Sequence, residues 1–233
     1  MAIACPVELD TQVLRSEVSR VYSRVAIDPD GDFHFHRGPA YAADFLGYDP
    51  AELAALPREC TASFAGIANP HMIAPIVRGE TVLDIGCGAG TDLLLAARRV
   101  GPGGRAIGID MTETMRDRAR GSAVAAGLTN VEVHHADATS LPLPDASVDV
   151  IISNGVLNLV PEKDKAFTEI RRVLRPGGRL QLGDIVLDAE LGEDVRRNIE
   201  ASQPSGVSKD ELLARAQCLT PDECKDIVKY FPM

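Results

Sequence analysis

The spacing of apolar and polar positions changes character partway along the chain. Between Thr81 and about Val186, short apolar runs alternate with longer segments of helical period. Thr81–Ile85, Arg105–Ile109, Val131–His134, Val148–Ser153 and Arg179–Val186 read as strands, and Thr91–Val100, Thr112–Ala126 and Lys163–Leu174 as the helices between them. Strands alternating with helices at this spacing predict an α/β fold with a doubly wound, mostly parallel sheet. The turns agree: Gly101-Pro-Gly-Gly104 and Arg175-Pro-Gly-Gly178 each read as a helix stop with glycine just past the last turn, and Thr112 suits a helix N-cap.

The first 75 residues follow another pattern. Helical stretches at Glu8–Ala26, Pro39–Phe45 and Pro50–Ala55 are broken by Asp-Pro, Gly-Pro and Leu-Pro. They predict a helical cap (1–75) over the ligand edge of an α/β core (76–190), followed by a short extension (191–233). In that extension helices at about Leu191–Ala201 and Lys209–Gln217 and a strand at Ile227–Phe231 are expected. An unpaired sheet edge there would invite a homodimer.

The Leu83-Asp-Ile-Gly-Cys-Gly-Ala-Gly90 segment joins the first strand to the first core helix, with glycines at 86, 88 and 90. Such glycines allow a tight turn and close approach to a ligand, and Asp110, ending the second strand, suits both hydroxyls of a ribose. A nicotinamide cofactor is the rival ligand. Against it, the third glycine of its fingerprint would fall at Thr91, and Asp84 and Asp92 would repel a pyrophosphate with no Lys or Arg in the loop to offset them. A cationic nucleoside suits the loop better, and S-adenosylmethionine carries an ammonium and a sulfonium. Asp137, after the third strand, can accept from an adenine amino group.

Charge and composition narrow the partners. Lys and Arg number 24 against 34 Asp and Glu, a formal charge of −10, and aromatics make up 4% with no Trp. Neither a basic footprint nor stacking platforms for nucleic acid are present. No apolar run approaches a bilayer-spanning length and no signal peptide is visible, so no membrane partner is expected. Five cysteines (Cys5, Cys60, Cys87, Cys218, Cys224) show no repeated metal spacing; a cytoplasmic setting and no metal site are expected.

The motifs DIGCGAG, GID, HADATSLPLPDASVDVIIS and LRPGG, in that order, resemble those of class I S-adenosylmethionine-dependent methyltransferases, with a Rossmann-like core. The resemblance implies Asp84, Gly86, Cys87, Gly88 and Gly90 around the methionine moiety. It also implies Asp110 and Met111 at the ribose and adenine, Asp137 and Ala138 at the adenine edge, and Ser153 at the end of the fourth strand. Within that class, VGPGGRAIGIDMTETM (100–115) and SNGVLNLVPEKDKAFTEIRRVLRPGGRL (153–180), with FHFHRG (33–38) and SFAGIANP (63–70), are similar to arsenite methyltransferases and their bacterial relatives. Those enzymes hold As(III) through cysteine thiolates, soft ligands for a soft ion. The matching positions here are Gly155, Ile67 and a stretch near Ala201–Gly206 without cysteine; Cys60 is the thiol nearest any of them. The resemblance implies methyl transfer to a small-molecule or metalloid acceptor. An organic metabolite acceptor and a non-catalytic S-adenosylmethionine-binding protein are the alternatives.

Transfer from a sulfonium needs no acid for the leaving group, and a lone-pair acceptor needs little base. Asn154, Asn158 and Cys60 are therefore the candidate catalytic residues: two amides that orient, and one thiol. His34, His36 and Tyr41 are candidate bases for a hydroxyl or carbon acceptor. His134 and His135 fall on opposite faces of a strand and read as structural or as lining the adenine site.

Overall fold

The computed structural model describes residues 11–185 apart from His34. Four helices come first: α1 (Thr11–Ile27), α2 (Gly38–Leu46), α3 (Pro50–Ala54) and α4 (Arg58–Thr61). Then β1 (Thr81–Ile85), α5 (Thr91–Val100), β2 (Arg105–Asp110), α6 (Glu113–Ala125), β3 (Val131–His135), β4 (Val148–Asn154), α7 (Lys163–Val173) and β5 (Leu174–Gly183) alternate. The five strands form one parallel sheet in the order β3-β2-β1-β4-β5. The strand order reverses between β1 and β4, so a crevice opens at the carboxyl ends of those two strands, where ligands of such sheets bind.

The central strands are apolar on both faces because helices cover both. On one face Leu83, Ile85, Ile107, Ile109 and Ile151 pack with Ile170 and Val173 of α7. On the other, Val82, Val150 and Ile152 pack with Ala96 and Val100 of α5. The cap shares its core with the outer helices: Val25, Ala42, Tyr48, Leu53, Cys60 and Phe64 lie in one cluster with Leu93, Leu94 and Met115. Polar ties reinforce that contact. Arg98 donates to the Ala55 carbonyl at 2.6 Å, Arg99 pairs with Glu52 at 2.8 Å, and the Thr91 hydroxyl donates to the Cys60 carbonyl at 2.9 Å.

Some local chemistry differs from the sequence reading. Arg175-Pro-Gly-Gly178 does not separate α7 from β5. Leu174 already pairs with Val148, and the next pairing joins Arg179 to Val150, so the four residues bulge out of the ladder between them. Gly177 takes φ +80 at the bulge, and Arg175 reaches Asp149 at 2.6 Å. Thr112 stands at the N-cap of α6 without a side-chain cap bond; its amide instead donates to Asp110. Four-residue α4 and the 3-10 turn Leu157–Leu159 were unforeseen, being too short to show a period. The helices expected at Leu191–Ala201 and Lys209–Gln217 and the strand at Ile227–Phe231 lie outside the described residues, as does the sheet edge expected to pair in a homodimer.

Ile151 is fully buried on β4. Ile151→Ala should destabilise the fold by about 2–5 kcal/mol and lower Tm by roughly 5–20 °C in a chain of this size. Thermal and urea unfolding measure this; a loss below about 1 kcal/mol would mean that the sheet centre is not the close-packed core described.

Candidate functional site

The loop after β1 is held by β2. The Gly86 and Cys87 amides both donate to the Ile109 carbonyl (2.8 and 2.9 Å), and the Gly88 amide donates to Asp110 Oδ2 at 3.0 Å. Asp110 Oδ1 accepts the Thr112 amide at 2.7 Å, and Arg116 donates to the Asp110 carbonyl at 3.0 Å. Gly86 requires glycine twice over: its φ is +71, and a Cβ there would collide with the Val156 side chain. Because that Cβ is missing, the rim after β4 closes directly onto the loop.

A cavity opens between this loop, the rim after β4 and the cap. Asp84, Gly86, Cys87, Gly88, Asp110, Met111, Asp137 and Ala138 all line it, as do Asn154 and Cys60 from the candidate catalytic set. Gly90, Ser153 and Asn158 are not on its wall. Gly90 precedes α5 with φ +100 and packs toward Leu94 and Ala119. Ser153 is buried opposite Ile85, its hydroxyl without a partner. The Asn158 amide donates to Asp184 at 2.9 Å, which burial has pushed up to about 6.

Asp84 sets the electrostatics. It is 2% exposed, and its Oδ2 has no hydrogen-bond partner. Burial raises its pKa well above the usual carboxylate range, and the nearby charges of Asp92 and Asp110 add to the shift. Asp110 is also raised by burial, an effect that the Thr112 and Gly88 amides oppose. A buried carboxylate with one unpartnered oxygen, in the wall of a cavity that Asp92, Asp110 and Asp137 also line, fits a ligand carrying positive charge.

Two further carboxylates are engaged by groups invisible to motif reading. Asp137 accepts the amide (2.7 Å) and hydroxyl of Thr139, and pairs through Oδ2 with Arg15 of α1 at 3.1 Å. Arg15, which lines the cavity, also reaches Glu162 at 3.0 Å. Asp92, 6% exposed at the start of α5, meets the Tyr48 hydroxyl at 2.7 Å, His71 Nε2 at 3.1 Å and Asn154 Nδ2 at 3.0 Å. Asn154 is fully engaged: its Oδ1 accepts the Ile67 and Ala68 amides (2.8 and 3.0 Å), and its Nδ2 also contacts the Ala68 carbonyl and the Tyr48 hydroxyl. Arg15, Tyr48 and His71 carried no spacing signal; Asp92 was visible only as loop acidity.

Part of the cavity wall is apolar. Phe64, Ala65, Val156, Leu159 and Val160 supply it. Gly155 has φ +72, and a Cβ on it would meet Ile67 Cγ1 at 3.4 Å. The two positions matched to arsenic-binding thiols are therefore close neighbours, near enough that a side chain at 155 would touch Ile67. Cys60 is fully buried, donates to the Pro57 carbonyl at 3.2 Å, and has its thiol pKa pushed up to about 12, chiefly by burial. Cys87 is raised too, by burial and then by Asp110 and Asp84. Of the candidate bases, His36 stacks on Tyr41 (5.2 Å) and Phe45 (6.2 Å) in the cap, away from the cavity wall, and His34 lies outside the described residues. His134 pairs with Glu132 at 3.5 Å, and His135 is exposed beside Met111 and Asp137. Among the described residues no three His, Cys, Asp or Glu side chains gather as a metal site, and no helix is long and apolar enough to cross a membrane.

The chain is similar to known proteins. A family model described as a methyltransferase domain matches residues 76–231. An arsenite methyltransferase of Halobacterium salinarum is 41% identical over 170 residues, 73% of this chain and 43% of the relative. The 27-O-demethylrifamycin SV methyltransferase of Amycolatopsis mediterranei is 35% identical over 168 residues, 67% of this chain and 60% of the relative. Among solved structures, an arsenic(III) S-adenosylmethionine methyltransferase from Chlamydomonas reinhardtii matches with a TM-score of 0.59 and 32% identity, over 72% of this chain and 60% of that one. The chain thus spans less than two thirds of the length of each of these relatives.

A buried neutral thiol is a poor nucleophile. Cys60 should resist iodoacetamide at pH 8 in the folded protein and react once urea unfolds it, as read by peptide mass spectrometry. Native labelling at a rate near that of the unfolded chain would contradict the burial and the raised pKa.

Proposed function

Because the chain belongs to the family of S-adenosylmethionine-dependent methyltransferases, we propose that it methylates a small organic molecule with an apolar body and its own nucleophilic lone pair. The unpartnered Asp84 oxygen in an acidic glycine loop carries the cofactor half of this reading. The apolar wall at Phe64, Val156 and Leu159 carries the acceptor half. When bound, S-adenosylmethionine supplies a methyl group on a sulfonium whose leaving group is a neutral thioether.

The chain's own residues have limited tasks in such a reaction. Asp84 would accept from the cofactor's ammonium, Asp110 from the ribose hydroxyls, and the Asp137–Ala138 segment would meet the adenine edge, with Met111 beside it. Cys87 and Gly88 bring backbone close to the methionine moiety. The apolar rim excludes water and holds the acceptor in line, so proximity and orientation supply most of the rate. Cys60, held as a neutral thiol, packs the wall.

Arsenite is the second reading, favoured by the identity to the Halobacterium salinarum arsenite methyltransferase. Ile67 against Gly155 and two neutral buried thiols weigh against it among the described residues. Labelled S-adenosylmethionine, offered with apolar thiols, amines and phenols and, separately, with arsenite plus glutathione, separates the two. Product from the organic set supports the first reading, and product from arsenite alone supports the second. Cofactor binding with no product in either set would leave a binding protein.

Asp84→Asn should have opposite effects on stability and binding. Removing a repelling carboxylate should raise the Tm of the ligand-free protein by roughly 2–8 °C, while S-adenosylmethionine affinity falls roughly 10–100-fold. The sign of the pH effect follows from the raised pKa. Below about pH 4 Asp84 is protonated in both folded and unfolded chains, so it contributes no difference. Above that, only the unfolded chain ionises freely, and ligand-free stability falls as pH rises until the folded carboxyl ionises too. Asp84→Asn should remove that part of the slope; an unchanged slope with unchanged affinity would reject this role for Asp84.

A further inference from the structure

Asp92 joins three parts of the molecule that are distant in sequence. It is the second residue of α5, and its Oδ1 meets the Tyr48 hydroxyl at 2.7 Å and His71 Nε2 at 3.1 Å. Its Oδ2 accepts Asn154 Nδ2 at 3.0 Å. Tyr48 is 3% exposed and His71 9%, so these contacts are sheltered from water. A carboxylate offers about four acceptor positions. Three are filled here by the protein, and the fourth belongs to a side chain that lines the cavity.

The neighbouring Asp84 has the complementary vacancy. Its Oδ2 is buried and unpartnered, and the charge of Asp92 is, after burial, the largest contribution to its raised pKa. The two carboxylates line one cavity, each with acceptor capacity left. A primary ammonium has three N–H donors and a full positive charge, so it can answer both vacancies and the repulsion together.

We propose that Asp92 is a second binding carboxylate for the ammonium end of the cofactor, and that Tyr48 and His71 are positioning residues that hold it in place. This rests on the S-adenosylmethionine reading above. The same side chains give the site a link to the acceptor wall. Asn154, bonded to Asp92, also holds the amides of Ile67 and Ala68, and Ile67 faces Gly155. Movement of Asp92 would thus be felt both at the cofactor's amino-acid end and along the acceptor side.

Calorimetry with two nucleosides distinguishes positioning from general support. S-Adenosylhomocysteine carries the ammonium; 5′-methylthioadenosine has the same adenosine and thioether without the amino-acid end. Tyr48→Phe and His71→Leu should each weaken S-adenosylhomocysteine roughly 5–20-fold and change 5′-methylthioadenosine by less than about twofold. His71→Gln, which retains a donor near Nε2, should recover most of the loss. Asp92→Asn keeps the volume and removes the charge; it should lose S-adenosylhomocysteine at least roughly tenfold and retain 5′-methylthioadenosine. Equal weakening of both nucleosides, or wild-type binding of both by all the variants, would overturn the proposal while leaving the cofactor reading intact. Wild-type protein that binds neither nucleoside would overturn the cofactor reading and this proposal with it.

Discussion

Burial of carboxylates at the carboxyl end of the sheet is the constraint around which the rest of the molecule is arranged. Asp84, Asp92 and Asp110 all line one cavity, and Asp84 feels the charge of both others. Each has a different local remedy. Asp110 is satisfied by backbone, through the Gly88 and Thr112 amides. Asp92 takes three hydrogen bonds from side chains of the cap and β4. Asp84 keeps an oxygen with no partner. An unmet buried acceptor costs about 1–3 kcal/mol, a destabilisation that a cationic ligand reverses. The ligand-free fold thus stores a preference for positive charge at one place, and the glycine loop keeps that place open.

The same constraint explains how the cap is attached. Apolar burial joins α2, α3 and α4 to α5 and α6, but apolar contact alone does not set a register. The register comes from polar groups with few alternative partners. Asn154 takes the Ile67 and Ala68 amides and returns donors to the Ala68 carbonyl, Tyr48 and Asp92. Buried networks of this kind stabilise only when every member is satisfied, so they select one arrangement of the segments that meet there. Gly66 and Gly183 make room for it, since a Cβ at either would press into Asn154 or Ala68.

How much of this was legible in the sequence follows from how local each signal is. Val148–Ile152 is a run of a buried parallel strand and was readable as such, as were Thr91–Val100 and the loop between Asp84 and Gly90. In this fold the order strand, loop, helix places motif residues at one sheet edge without further information. Asp84, Asp110, Met111 and Asp137 line one cavity for that reason. Tyr48 and His71 were not readable: they reach Asp92 across 44 and 21 residues, from a segment interrupted by prolines and without period. Arg15, bonded to Glu162 147 residues away, is the same case. The Arg175–Gly178 bulge was missed because a Pro-Gly-Gly turn looks alike whether it ends a helix or interrupts a ladder.

The rim Ser153–Leu159 is poor in reactive groups, and its geometry accounts for that composition. Val156 occupies the space a Cβ on Gly86 would need, and a Cβ on Gly155 would stand in contact with Ile67. Both glycines take positive φ, so the chain bends there without side chains intervening. The result is a closely fitted apolar wall beside a charged pocket. Phe64, Val156, Leu159 and Val160 supply apolar wall, while Asp84 and Asp92 supply carboxylates to the same cavity. For the proposed transfer an apolar wall is physically sensible, because a sulfonium loses its charge as the methyl departs. A polar wall at the reacting end would stabilise the charged reactant more than the less charge-concentrated transition state, and so slow the step. Blandness at this rim is therefore a chemical requirement of the proposed reaction, and the carboxylates belong outside it, on β1 and α5, where Asp84 and Asp92 stand.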